Sequence, residues 1–136
     1  MRQAIRTIAA VLALIASGSA RANDLSTANT AFDHADYAKA FDLYQPLARA
    51  GDPSAQSAMG ALYYFGNGVQ KNLARAYMWF SVAAQSAAPV ATVAKTNRDL
   101  VREQLAPGDI EKADALADAC IRSRFEECGV SLFAAR

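Results

Sequence analysis

Residues that commonly carry catalysis or bind metals are scarce in this chain of 136 residues. It has one histidine, His34, and two cysteines, Cys120 and Cys128. A serine-type triad would have to use His34, and no serine lies in a G-x-S-x-G or S-x-x-K pattern. One histidine and two cysteines cannot by themselves close a zinc site. We therefore predict a protein that is not an enzyme, with no catalytic residue, metal or cofactor.

Excess charge of either sign is also lacking. The 14 Lys and Arg residues nearly balance the 13 Asp and Glu residues, for a formal net charge of +1. Such a balance predicts no affinity for nucleic acid or for an anionic membrane surface. Glycosidases need two carboxylates across a cleft, and nothing selects two of the acidic residues for that task.

Long hydrophobic runs are limited to the N-terminus. Two arginines precede an apolar run, Ile8–Ala16, and an A-x-A pattern ends at Ala22. The run is too short to span a bilayer, so the order predicts a secretory signal peptide over residues 1–22 rather than a membrane anchor. We expect a periplasmic or secreted protein with no membrane insertion after cleavage. Residues 23–136 would then form a single domain, with 11 basic and 13 acidic residues.

Strand-like alternation is nearly absent, whereas apolar residues recur three and four positions apart. This pattern predicts an all-α fold of about six helices joined by short turns. Capping residues mark three helix starts, at Asp36, at Asp52 with Pro53, and at Asn72. Further helices are expected after Pro89, with Val93, Ala94, Asn97, Leu100, Val101 and Leu105 on one face, and after Pro107, with Ile110, Ala113, Leu116, Ala117, Cys120 and Ile121 inward.

The stretch LYYFGNGVQKN, residues 62–72, allows three interpretations. A phosphate-binding loop would need a Lys-Ser/Thr pair or a third glycine that the stretch does not have. Asn-Gly is a strong β-hairpin signal, but the preceding residues continue a helical stripe. A turn between two helices is favoured. In this turn, Gly66 and Gly68 are expected to permit backbone angles that a Cβ disfavours. Val69 is expected to pack against the helix hairpin, and Asn72 to cap the next helix.

The sequence also matches itself at an offset of 36 residues. Ala40 aligns with Ala76, and Tyr44 aligns with Phe80. The aligned positions form the apolar stripes of two predicted helices. A period of this length is typical of a solenoid built from helix hairpins.

Together these motifs resemble the Sel-one-like repeat family, relatives of the tetratricopeptide repeats. The resemblance is specific over residues 36–88 and rests on Ala55, Gln56, Met59, Gly60, Tyr63 or Tyr64, Gly66, Gly68, Val69, Asn72, Arg75, Ala76, Trp79 or Phe80, Ala83 and Ala84. It implies an α/α superhelix of about three antiparallel hairpins. It also implies a non-catalytic scaffold or adaptor of the cell envelope that binds a protein or peptide. The alternative is an envelope hydrolase acting on peptidoglycan or a β-lactam.

The aromatic cluster around residues 63–65 and 77–80 is expected to pack in the core. Tyr64 falls off the helical stripe, and exposed tyrosines are useful interface anchors. We therefore predict Tyr64 as a partner contact.

Export favours a disulfide between Cys120 and Cys128, with two free thiols as the alternative. On an unbroken helix the two residues would lie about 12 Å apart, whereas a bridge needs Cα atoms within about 7 Å. A bridge therefore requires the last helix to end within Arg122–Phe125 and the chain to fold back. A redox role is less favoured because the spacing is not C-x-x-C.

Overall fold

The structure, a computed structural model, describes residues 21–128. Residues 21–33 are helical (α1), and five helices follow: α2 (Tyr37–Arg49), α3 (Pro53–Phe65), α4 (Leu73–Ala83), α5 (Val90–Arg102) and α6 (Pro107–Arg122). Over this range the chain has no β-strand. The predicted all-α fold is confirmed. The predicted signal peptide lies outside the described residues, except for Arg21 and Ala22.

Three helices begin where the sequence places a capping side chain. Asp36, Asp52 and Asn72 each accept a hydrogen bond from the backbone N–H three residues further on. The Asp52 bond measures 2.8 Å and the Asn72 bond 2.9 Å. Each cap satisfies an N–H group that the first helical turn leaves without a partner.

Helix α4 forms the centre of the molecule. All of its residues from Ala76 to Ala83 are buried. It packs against α3, α5 and α6, while α2 packs against α3. A helix that is apolar around most of its circumference needs such neighbours, which explains the second apolar strip of α4.

The outer helices leave some apolar side chains of their predicted stripes exposed. On α5, Ala94 and Val101 are buried, but Val93 and Leu100 are more than half exposed. Ile121 on α6 is also exposed. The prediction that Ile121 lies inward was wrong, and the predicted stripe of α5 is only partly buried, because the neighbours of these outer helices cover only part of each helix.

Two tyrosine hydroxyls link separate helices. Tyr44 of α2 donates to Asn29 of α1 at 2.7 Å, and Tyr77 of α4 donates to Asp114 of α6 at 2.8 Å. Burial raises the pKa of both hydroxyls above 10.0; the charge of Asp33 adds to the effect at Tyr44, and Asp114 adds to it at Tyr77.

The chain folds back after α6, as a bridge between the two cysteines requires. Helix α6 ends at Arg122, and Arg124 and Phe125 then take positive φ angles of 54° and 73°. Cys120 and Cys128 form a disulfide with a Cα–Cα distance of 4.4 Å. Closing a loop this short contributes about 2–3 kcal/mol. Two non-glycine residues in the left-handed region cost about 1–2 kcal/mol each, so the two terms are of similar size.

The reversed loop places the Phe125 ring against the turn between α2 and α3. A Cβ atom added to Gly51 of that turn would lie 2.9 Å from a ring carbon of Phe125. Gly51 also has a φ of 90°, which ends α2 in a left-handed turn. The C-terminal loop, residues 123–128, therefore closes one end of the molecule.

Candidate functional site

The stretch of residues 62–72 comprises the last turn of α3 and, from Gly66 to Asn72, the turn between α3 and α4. Gly66, with φ 73°, caps the C-terminus of α3, and its N–H donates to the Leu62 carbonyl. At the far end of the turn, the Asn72 N–H donates to the Tyr63 carbonyl at 2.9 Å. Val69 packs against the core. The backbone N–H groups at both ends of the turn are bonded to α3, so they do not converge on a bound anion.

Gly68 lies against the first turn of α2. Its φ is 68°, and an added Cβ would lie 2.6 Å from the Ala38 nitrogen and closer still to the Tyr37 carbonyl group. The turn between α3 and α4 therefore packs on the backbone of another helix, and Gly68 is the residue that allows this approach.

An apolar groove lies between α3 and α5. It encloses about 180 Å³ and is lined by Ala61, Tyr64, Phe65, Phe80, Asn97, Leu100 and Val101. We call it the α3–α5 groove. None of the lining side chains is charged. On the α5 wall, the Asn97 amide makes no hydrogen bond within the described residues. The groove thus offers apolar surface together with one side-chain amide that is able to form hydrogen bonds with a bound partner.

Tyr64, the predicted contact residue, forms part of the groove wall and is half-buried. Its hydroxyl accepts a hydrogen bond of 3.1 Å from the Gln104 side chain. Its ring packs edge-on against Phe65, with 4.9 Å between the centroids. The Lys71 ammonium lies 5.5 Å from the same ring. These contacts come from three elements and hold Tyr64 in one orientation.

Two residues of the groove are more exposed than Tyr64. Phe65 is 65% exposed and Leu100 is 54% exposed. Sequence reasoning assigned both to the packed interior, so it missed them as surface residues. The sequence carries a weak signal for the exposure of Phe65. This residue directly precedes the glycine that ends α3, so no further helical turn covers it.

The residues considered for catalysis are not brought together. His34 is exposed, and its Nδ1 lies 2.7 Å from the Thr30 carbonyl oxygen at the end of α1. Among residues 21–128, no three His, Cys, Asp or Glu side chains lie close enough to hold a metal ion. No helix in this part of the chain has both the length and the apolar character needed to cross a bilayer.

Part of the sequence matches a known repeat family. The family model of the Sel1 repeat matches residues 35–52 and 53–87. Residues 35–87 of the chain therefore carry Sel1-like repeats. Sel1 repeats generally mediate protein–protein interactions, and proteins that carry them are typically non-catalytic scaffolds. No curated protein and no solved structure matches this chain significantly.

The complete Sel1 repeat corresponds to the hairpin of α3 and α4, and the partial match covers α2 with its following turn. Gly60 of the repeat lets the two helices approach, because a Cβ there would lie 2.7 Å from the Phe80 ring. Gln56 is buried and donates to the Ala48 carbonyl at 3.1 Å, which joins the partial repeat to the complete one. The α3–α5 groove lies where the complete repeat meets the next helix.

Proposed function

We propose that this protein with Sel1-like repeats is an exported, non-catalytic scaffold that binds a protein or peptide partner in the α3–α5 groove. The observation that carries the proposal is the exposure of Phe65 and Leu100 beside an apolar cavity. Exposed apolar side chains that adjoin a concave, uncharged surface are typical of interaction sites.

The size of the groove favours a polypeptide over a small molecule. Pockets for drug-sized ligands and cofactors enclose about 300–1,000 Å³, which exceeds the 180 Å³ of this groove. One or two apolar side chains of a partner would fit instead. The Asn97 amide on the wall is suited to pair with a peptide group of the same segment. Tyr64 would serve as a rigid anchor, because its orientation is already set in the free protein.

A photo-crosslinking amino acid placed at residue 65 of the full chain, in the cells that make it, tests the site. We expect a covalent adduct with one partner polypeptide, identified by mass spectrometry. The same label at Ile121, which is exposed on α6, is expected to give no such adduct.

A matched pair of substitutions on α5 sharpens the test. Leu100 and Val93 are similarly exposed, at 54% and 56%, but only Leu100 lines the groove. Leu100→Ser is expected to lower the adduct yield by about tenfold or more, as loss of an interface anchor does. Val93→Ser should have little effect. An equal loss for both variants, or an adduct of equal yield from Ile121, would place the partner elsewhere.

Export is the second part of the proposal. It is supported by the residue order over residues 1–22 and is compatible with the disulfide between Cys120 and Cys128. Mass spectrometry of the protein from a periplasmic fraction is expected to find Asn23 at the N-terminus. A mature protein that retains Met1 would contradict export.

A further inference from the structure

The C-terminal loop joins parts of the chain that lie far apart in the sequence. The Phe125 ring covers Gly51, the left-handed residue that ends α2. Beneath it, the Asp52 N–H donates to the Leu47 carbonyl at 3.0 Å, a bond that closes the turn between α2 and α3. The ring therefore packs on this turn.

The loop's own backbone conformation is unfavourable. Arg124 and Phe125 are consecutive and both occupy the left-handed region, which side chains with a Cβ rarely adopt. The N–H of Phe125 donates to the Cys120 carbonyl at 2.8 Å, and the disulfide joins the two ends of the reversal. Residues with such strain persist only when their surroundings hold them.

We propose that residues 123–128 act as an oxidation-dependent clasp on the turn between α2 and α3. With the disulfide formed, the clasp keeps Phe125 on Gly51. The strain of the loop offsets most of what the bridge contributes, so the bridge decides whether the loop stays closed. Reduction releases Phe125 from the turn, whereas the α3–α5 groove, which no residue of the clasp lines, keeps its shape.

Reduction of the disulfide proceeds by thiol–disulfide exchange with a dithiol reductant. One thiolate of the dithiol attacks the sulfur of Cys128, which is 4% exposed against 0% for Cys120. A mixed disulfide forms and Cys120 leaves as a thiolate that takes up a proton. The second thiol of the dithiol then displaces Cys128 and closes the reductant into a cyclic disulfide. Two electrons and two protons pass to the protein, which ends with two thiols.

Amide hydrogen exchange of the full chain, before and after treatment with dithiothreitol, tests the proposal. On reduction we expect exchange of the Asp52 N–H to accelerate by about tenfold or more, as expected when a protected segment opens locally. The Asn72 N–H, which closes the turn between α3 and α4, is the internal reference and should keep its rate.

Two variants complete the test. Phe125→Ala, which retains both cysteines, should accelerate Asp52 exchange in the oxidised chain and remove most of the further effect of reduction. The double variant Cys120→Ser with Cys128→Ser should exchange like the reduced chain and not respond to dithiothreitol. Unchanged Asp52 exchange after reduction would overturn the proposal. So would an equal acceleration at Asp52 and Asn72, because it would show that the bridge stabilises the whole fold rather than the clasp.

Discussion

Substitution of Gly68 by alanine tests the structural account of the turn between α3 and α4. A single methyl group is added, so hydrophobicity and charge hardly change. At φ 68° a residue with a Cβ costs about 1–2 kcal/mol more than glycine. The methyl would also lie 2.6 Å from the Ala38 nitrogen. This neighbour is helical backbone, which cannot rotate away as a side chain can, so overpacking adds about 1–3 kcal/mol.

The expected loss for Gly68→Ala is therefore about 2–5 kcal/mol of unfolding free energy, which corresponds to a Tm lower by roughly 10–20 °C for a domain of this size. Urea unfolding followed by circular dichroism measures the free energy, and an unchanged m-value shows that the folded state keeps its compactness.

Gly108→Ala is the matched control for this substitution. Gly108 lies in the first turn of α6, and a Cβ added there meets nothing within 4 Å. Alanine at this position is expected to leave stability unchanged or to raise it by up to about 1 kcal/mol. Equal stabilities of the Gly68→Ala and Gly108→Ala variants would refute the account. A Gly68→Ala protein with the original Tm and no partner binding would instead mark the turn as a binding site.

Three further substitutions probe separate contacts. Asn72→Ala removes the N-cap of α4 and should cost about 1 kcal/mol, measured by urea unfolding; a loss below about 0.3 kcal/mol would contradict the capping role. Gly60→Ala should lower stability by about 1–3 kcal/mol despite the better helix propensity of alanine, because the added Cβ would lie 2.7 Å from the Phe80 ring and would force this side chain to shift. Burial and Asp114 raise the pKa of the Tyr77 hydroxyl in the folded state. The stability that the neutral hydroxyl contributes is therefore complete below pH 10.0 and is lost as the pH rises through the folded-state pKa. Thermal melts between about pH 8 and pH 11 should show a smaller alkaline loss of Tm for Tyr77→Phe than for the original chain, and identical slopes would refute this assignment.

Local chemistry made much of the fold predictable. The side chains of Asp52 and Asn72 cap α3 and α4 through bonds to residues three positions away, so neighbours in sequence suffice to recognise them. The same holds for Gly66, whose left-handed angle ends α3. The requirement that the chain reverse before Cys128 also followed from the length of a helix alone.

The candidate site was predicted only in part, because exposure depends on neighbours. Tyr64, which the sequence places off the helical stripe, is half-buried and lines the groove, and its role as a partner contact stays a prediction. Leu100 lies on an apolar stripe of α5 that resembles a core face, yet it is 54% exposed because it lines the open α3–α5 groove rather than a closed contact between the two helices. Helical periodicity reports which residues share a face, but it does not report how many helices cover that face.

The sequence by itself determined the helical class, the helix boundaries, the repeat and the need for glycine in the turns, because each depends on backbone preferences over a few residues. Only the tertiary structure decided what those turns touch. Gly68 lies on the backbone of α2, and Gly51 lies under the ring of Phe125. These contacts join residues far apart in the chain, and their geometry arises from how whole helices pack, which no local preference specifies.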